Sequence, residues 1–312
     1  MTVSVWKSLL SLRSRGGRGA QLQIFSFHRV LDAPCALSDG EPTVQEFADQ
    51  VAWIRDTCNV LRLSEAVRLL REDKLPPAAA AITFDDGYRN NLTNALPVLQ
   101  RLQVPATVFV AVRACEQGIM WNDLIIEGLR RCAAEFDVSM GGELCRFGPE
   151  TQPSTVLDRL KYVDHDERMA VAQAFYEAAT DEPQPRLMMT ADEVAAIAAD
   201  WIEIGAHTMS HPILKNLSDE RAKEEIFASK EQLEAWTGRE VTLFAYPNGR
   251  RDVDFCNRDM DLVEAAGFSA AVSTDWGSAR RSSARFALPR YTPWETSAFG
   301  YKSRILKTSL AS

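Results

Sequence analysis

From Leu22 onward, short apolar and β-branched runs alternate with stretches of helical period, and this rhythm restricts the fold more than any other feature of the sequence. "LQIFSFHRV" has the composition of a strand. "TVQEFADQVAWIRDTC" follows with its apolar residues at helical spacing, opened by Thr43 and Glu46 in the spacing of a capping box. The rhythm continues through "NVLRL", "SEAVRLLRED", "AAAAITF", "NLTNALPVLQRLQ" and "PATVFVAV". Strands linked by helices through short connections pair in parallel, so the pattern predicts a parallel sheet wrapped by helices, as either a barrel or an open sheet.

Over about 115–187 the alternation stops: "MWNDLIIEGLRRCAAEF" has a helical pattern, "DVSMGGELCRFGPE" that of a hairpin, and a charged helical stretch follows. This is an insertion of helix-hairpin-helix type. The alternation resumes at a second capping box, Thr190 with Glu193, and runs through "IEIGAHT", a long helix from Asp219 to Trp236, "VTLFAYPNG", "DMDLVEAAG" and "FSAAVST". The expected organisation is a basic helix or tail over residues 1–20 and one catalytic domain over residues 21–312.

Composition narrows the partners. The formal net charge is −8, without the basic stripe that a nucleic-acid partner requires. The opening "MTVSVWKSLLSLRSRGGRGA" is interrupted by Lys7 and Arg13 and is too short in its apolar part for a signal peptide. No later segment approaches a membrane span, so the expectation is a cytoplasmic protein. A peripheral contact with the inner membrane or an export complex stays open, because Val3, Trp6, Leu9 and Leu10 accompany Lys7, Arg13, Arg15 and Arg18. Six cysteines without any C-x-x-C pair read as reduced thiols rather than a disulfide framework or a structural zinc site. Oligomeric state is not readable.

Three stretches carry chemistry. Asp85 and Asp86 in "TFDDGY" close an apolar run, where a parallel α/β fold presents its functional groups, and neighbouring residues there can face different ways. One carboxylate can bind a cation while the other faces a substrate. His207 and His211, two of only four histidines, follow another strand in "GAHTMSHP"; a helical turn there would put both imidazoles on one face. No glutamate follows the first histidine, which disfavours the metalloprotease signature. "FAYPNGRRD" runs a third strand into a Pro-Gly turn whose backbone N–H groups can serve as an oxyanion hole, with Tyr246 and Asn248 as candidate residues.

In that order and at strand ends, "TFDDGY", "HTMSH" and "FAYPNG" resemble the first three motifs of the polysaccharide deacetylase family, carbohydrate esterase family four, in a chain similar to it from "FSFHRV" to "LPRY". The resemblance implies an α/β fold, a distorted (β/α) barrel of about seven strands. It implies a metal-bound water that removes acetyl groups from N-acetylated sugars, in a polysaccharide or a lipid-linked glycan. Asp85 becomes the base, and Asp86, His207 and His211 become the ligands of a divalent metal. Zinc is the default for such a donor set, with cobalt, nickel or iron also suited.

Two departures matter. Where many members have an arginine at the head of the third motif, this chain has Ala245, and where many have an aromatic residue it has Asn248. A base-orienting arginine must come from elsewhere: Arg290 in "FALPRY", or Arg250 or Arg251. The C-terminal L-x-H histidine is also missing, which leaves His28 in "FSFHRV" as the candidate acid; a similar strand with histidine occurs in the exopolysaccharide-associated branch of the family. His165, in an acidic run, reads as a solvated residue. Trp121 is a candidate for stacking on a sugar ring, as are Trp276 and Trp294, and Met188 and Met189 for packing beneath a lid. Two alternatives accompany this expectation: a non-catalytic carbohydrate-binding chain of the same fold, and a hydrolase of small cyclic amides.

Overall fold

Apolar runs become strands here because the sheet they form is buried on both of its faces. The computed structural model describes residues 4–16, 19–37, 40–198 and 201–311. Its strands are β1 (Gln21–Phe27), β2 (Asn59–Val60), β3 (Ala79–Phe84), β4 (Ala106–Val110), β5 (Phe136–Met140), β6 (Glu143–Phe147), β7 (Ile202–Ala206), β8 (Leu243–Ala245), β9 (Ala270–Val272) and β10 (Ala279–Arg280). Every residue of β1, β3, β4, β8 and β9 is buried. The main sheet runs β10-β1-β3-β4-β7-β8-β9, with β2 beside β3, and its pairings are parallel except that of β10 with β1.

The gap between β9 and β1 is closed by single bridges. Leu288 pairs in parallel with Val272 and Tyr291 with Phe25. Ser273 N–H donates to Leu288 O (2.8 Å), Leu288 N–H to Ala271 O (2.9 Å), Tyr291 N–H to Ile24 O (3.0 Å) and Ser26 N–H to Tyr291 O (3.1 Å). The result is the distorted (β/α) barrel, and its closing seam carries Arg290.

Local chemistry sets the helix ends. Both capping boxes form: Thr43 N–H donates to Glu46 Oε2 (2.8 Å) and Thr190 N–H to Glu193 Oε2 (3.0 Å). The stretch "NLTNALPVLQRLQ" differs from a plain helix: a wider turn over Asn91–Ala95 precedes the helix Leu96–Leu102, with Leu96 N–H reaching back to Asn91 O. Pro97 lacks the N–H that a regular turn would require there.

Between β4 and β7 the chain builds the helices Val112–Gln117 and Trp121–Arg131, the β5–β6 hairpin, and the helices Pro153–Leu160 and His165–Ala179. The hairpin turns on Gly141 and Gly142, at φ 62° and 82°, where only glycine is unstrained. Leu129, Phe147, Phe175 and Tyr176 head a small apolar core of this segment's own. The N-terminal stretch forms the helix Val5–Arg13, which packs beside the last helix, Ala298–Ala311, through Trp6 and Phe299 (5.5 Å between ring centres). Val3 and Arg18, counted above among its membrane-facing candidates, lie outside the described residues. No helix among the described residues is long and apolar enough to cross a membrane. All six cysteines are free thiols.

Candidate active site

β3 delivers Asp85 and Asp86 into a turn that separates them. Asp85 N–H still donates to Phe27 O of β1 (2.9 Å), so its carboxylate stays beneath the strand ends. Asp86 then adopts φ +74°, and Gly87 follows at φ +89°. A Cβ on Gly87 would stand 3.1 Å from Val110 Cγ1 and 3.3 Å from Cys115 Sγ, so glycine is required by space as well as by conformation. Both acids are buried, yet each meets different partners.

Asp85 is held by Arg290 in a two-pronged pair, Nη1 to Oδ1 at 2.7 Å and Nη2 to Oδ2 at 2.5 Å. Arg290 is fully buried; its Nη1 also donates to Thr83 Oγ1 (3.2 Å) and its Nε to Ser273 O (3.0 Å). Burial opposes ionisation of Asp85, but the guanidinium outweighs it and holds the carboxyl below the usual range. Of the three arginines considered, only Arg290 makes this pair: Arg250 binds Asp254, and Arg251 donates to Asn257.

Asp86 Oδ1 lies 3.5 Å from His207 Nε2 and 3.4 Å from His211 Nε2, and ligand atoms of the three residues lie within 4.8 Å of one another. His207 Nδ1 is 2.7 Å from Ala245 O, which makes Nδ1 the protonated nitrogen and turns the Nε2 lone pair toward Asp86. The expected helical turn between the histidines is absent. A bend replaces it, with Thr208 at φ +64° and His211 at φ +55°, pinned by His211 N–H on Thr208 Oγ1 (3.0 Å). Glu225 braces the same loop, accepting from Ser210 N–H (2.8 Å) and from Ser210 Oγ (2.5 Å). Burial pushes His211 down to about 3, and the neighbouring imidazoles hold Asp86 low against its own burial. Two imidazole nitrogens around a carboxylate oxygen that is buried without a hydrogen-bond partner are the donor set that a divalent cation completes.

These groups open onto a cavity of ≈ 340 Å³ that also takes in His28, Glu41, Trp121, Arg168, Asn248 and Thr274. His28 follows β1, with its side chain 48% exposed and Nδ1 3.9 Å from Glu41 Oε1. Burial works against its charge, but Asp86, Glu41 and Asp85 prevail and raise its pKa. Asn248, at φ +59°, lies in a turn closed by Gly249 N–H on Pro247 O (2.7 Å). Its own N–H donates to no group among the described residues. Trp121 lines the opposite wall with the Arg168 guanidinium 4.7 Å above its ring.

Tyr246 does not reach the cavity. Its ring stacks on Phe255 at 3.7 Å, its hydroxyl donates to Phe286 O (2.9 Å), and its N–H points to Val272 O (3.4 Å), so the alternation of the extended chain spends this residue on the core. Met188 and Met189 are also core. His165 is half-buried near Arg168, and burial lowers its pKa, so it is not the solvated residue expected. Trp276 and Trp294 line a second cavity, ≈ 360 Å³, which shares His28, Glu41 and Thr274 with the first. Glu41, Lys161 and Arg168 were not singled out from the sequence; no spacing or strand end marks them, because loop and helix packing brings them in.

The fold and the site together define a class. A family model described as polysaccharide deacetylase matches residues 72–268, and the chain belongs to that family. It is 22% identical over 248 residues to Bacillus subtilis (strain 168) YxkH, whose name places it among polysaccharide deacetylases; the match covers 79% of this chain and 63% of YxkH. It is 35% identical over 85 residues to a poly-β-1,6-N-acetyl-D-glucosamine N-deacetylase of Staphylococcus epidermidis, covering 27% of this chain and 29% of that protein. In structure it resembles the Streptococcus pyogenes deacetylase PplD, solved with acetate (TM-score 0.64, 16% identity, 93% of this chain and 98% of that one). IcaB from Ammonifex degensii is similar as well (TM-score 0.59, 18% identity, 91% and 98%).

Proposed function

We propose that this protein is a metal-dependent deacetylase that hydrolyses the N-acetyl group of an amino sugar in a polysaccharide or a lipid-linked glycan. One observation carries this: Asp85, bound two-pronged by a buried arginine, adjoins Asp86, whose bare oxygen sits between two imidazole nitrogens. Base and cation site are thus consecutive residues facing one cavity. Asp86, His207 and His211 would hold the cation, for which zinc suits the donors, as do cobalt, nickel and iron. When bound, such an ion acidifies water and polarises an acetyl carbonyl.

The chain's own groups supply the rest. Asp85, kept ionised and aimed by Arg290, takes the proton of the attacking water as its oxygen bonds to the acetyl carbon. The Asn248 N–H is the free donor for the developing oxyanion. As the C–N bond breaks, His28 gives its proton to the leaving nitrogen, and its raised pKa favours the protonated form needed. Trp121 offers an aromatic edge for the sugar.

The named activity of the staphylococcal relative supports a glucosamine polymer and the exopolysaccharide-associated branch of the family. Six free thiols support the cytoplasmic placement. A silent carbohydrate-binding chain would lack a ligand or the base, and all four residues are assembled here.

Acetate release from acetylated glucosamine oligomers, set beside ring opening of small cyclic imides, tests the reading. Turnover of the oligomers alone is expected, with Asp85→Asn slower by about 10²-fold or more. Turnover of imides alone would replace it.

A further inference from the structure

Exposed large apolar side chains are concentrated on the first and last helices. Five of the ten large hydrophobic residues exposed among the described residues, Val5, Leu9, Leu12, Phe299 and Leu310, lie on Val5–Arg13 and Ala298–Ala311. Val5 (72% exposed), Leu9 (41%) and Leu12 (63%) recur at the spacing of one helix face, while Leu10 is buried on the other. Trp6 bridges this stripe to Phe299, which is 73% exposed. The two helices are therefore docked through Leu10, Tyr301 and Ile305 and remain apolar on the outside as well.

Charge decides what fits there. The protein carries a net −8, yet neither helix contains an aspartate or glutamate. Asp56 takes up Lys302, and Glu295 takes up Arg304. Arg13, Arg15 and Lys307 are exposed and form no ion pair among the described residues, whereas Lys7 lies on the inner side of its helix, near Asp56. Exposed apolar side chains accompanied by unpaired cations are what an anionic lipid interface receives, the first by burial at the acyl boundary and the second by attraction to headgroups. A second copy fits less well, because a two-fold contact would set one acid-free helix pair against another and bring cations together without counter-charge.

We propose that this face docks the protein on an anionic phospholipid surface. The proposal stands independently of the deacetylation reading, since it uses no residue of the cavity.

Co-sedimentation of the full chain with vesicles of phosphatidylglycerol and phosphatidylcholine, against phosphatidylcholine alone, tests it. The protein sediments with the first and stays in solution with the second. A Leu9→Glu, Leu12→Glu double variant, altered only at exposed positions, loses binding, and an Arg13→Glu, Lys307→Glu variant binds weaker by roughly tenfold or more, each cation near the surface contributing about fivefold. Thermal unfolding like that of the parent shows that both variants fold. No sedimentation with anionic vesicles would overturn the proposal, and so would binding that neither double variant weakens. A dimer in light scattering that Leu9→Glu dissociates, without vesicle binding, would assign the face to a second copy instead.

Discussion

On the floor of the cavity, Asp85, Asp86 and His207 follow directly on β3 and β7, and their partners come from other strand ends: Arg290 from the closing seam, Ala245 from β8. Along the wall, Trp121, Lys161 and Arg168 come from the inserted segment, and Arg168 contacts Trp121 and Lys161 of that same segment. A hydrogen bond from Arg168 Nη2 to His211 O (3.3 Å) links wall to floor. The proposed reaction, which tolerates little displacement, thus falls on the sheet, and the proposed substrate contacts fall on a segment with its own small core.

The contrast is sharpest at the cation site. Asp86→Asn, His207→Ala and His211→Ala should each abolish turnover and lower metal content after dialysis, because each removes one of three protein ligands. Elemental analysis checks this, and full occupancy in all three would end the assignment.

Arg290→Met should cost about 3–5 kcal/mol at neutral pH, because Asp85 is left charged and buried. The sign with pH follows from the shifts. In the parent, Asp85 sits below the ordinary carboxylate range, so the stability of its pair is present above that range, near pH 4, and fades as the pH falls through the lower folded value. In the variant the pull of the guanidinium is gone and burial raises the group against the smaller pull of His207 and His28, so the deficit should shrink toward acid as Asp85 takes up a proton. Urea unfolding at the two pH values measures it; equal deficits would contradict the pair.

His28→Ala should slow amide hydrolysis by about 10²-fold and spare an activated acetate ester, whose leaving group needs no proton. With the histidine present, amide turnover should fall on the alkaline side, above the ordinary imidazole range, since its pKa is raised. Equal losses on both substrates would leave His28 a merely structural role. The wall should yield the smallest effect: Trp121→Ala should raise KM by up to about tenfold with kcat nearly unchanged, the worth of one stacked ring. A fall in kcat would mean that the wall takes part in the chemistry.

The sequence was informative in proportion to how local each feature is. The sheet was legible because burial on both faces forces apolar runs, and the Asp85-Asp86 and His207-His211 pairs because charge at the end of such a run has little structural use. Arg290 could only be one of three candidates, since which arginine meets Asp85 depends on a segment about 200 residues away crossing from β9 to β1. The bend between the histidines rests on two left-handed residues, Thr208 and His211, which no propensity announces. Tyr246 was misplaced because a turn residue and a core residue are neighbours in "AYPNG", and only the pairing of Ala245 with Val272 in β8 and β9 tells them apart. The wall was hardest to see: Arg168 becomes a lining residue through helix packing alone.

The seam that closes the barrel also sets an order of events during synthesis. When the ribosome has released the chain as far as β9, Asp85, Asp86, His207 and His211 are all available to fold, but the guanidinium that keeps Asp85 charged has yet to arrive. Until the stretch around Leu288–Tyr291 docks between Val272 and Phe25, a nascent chain has the proposed cation site without the arginine that holds its proposed base. On the proposed reading, a chain cut after β9 is therefore expected to be inert toward glycan.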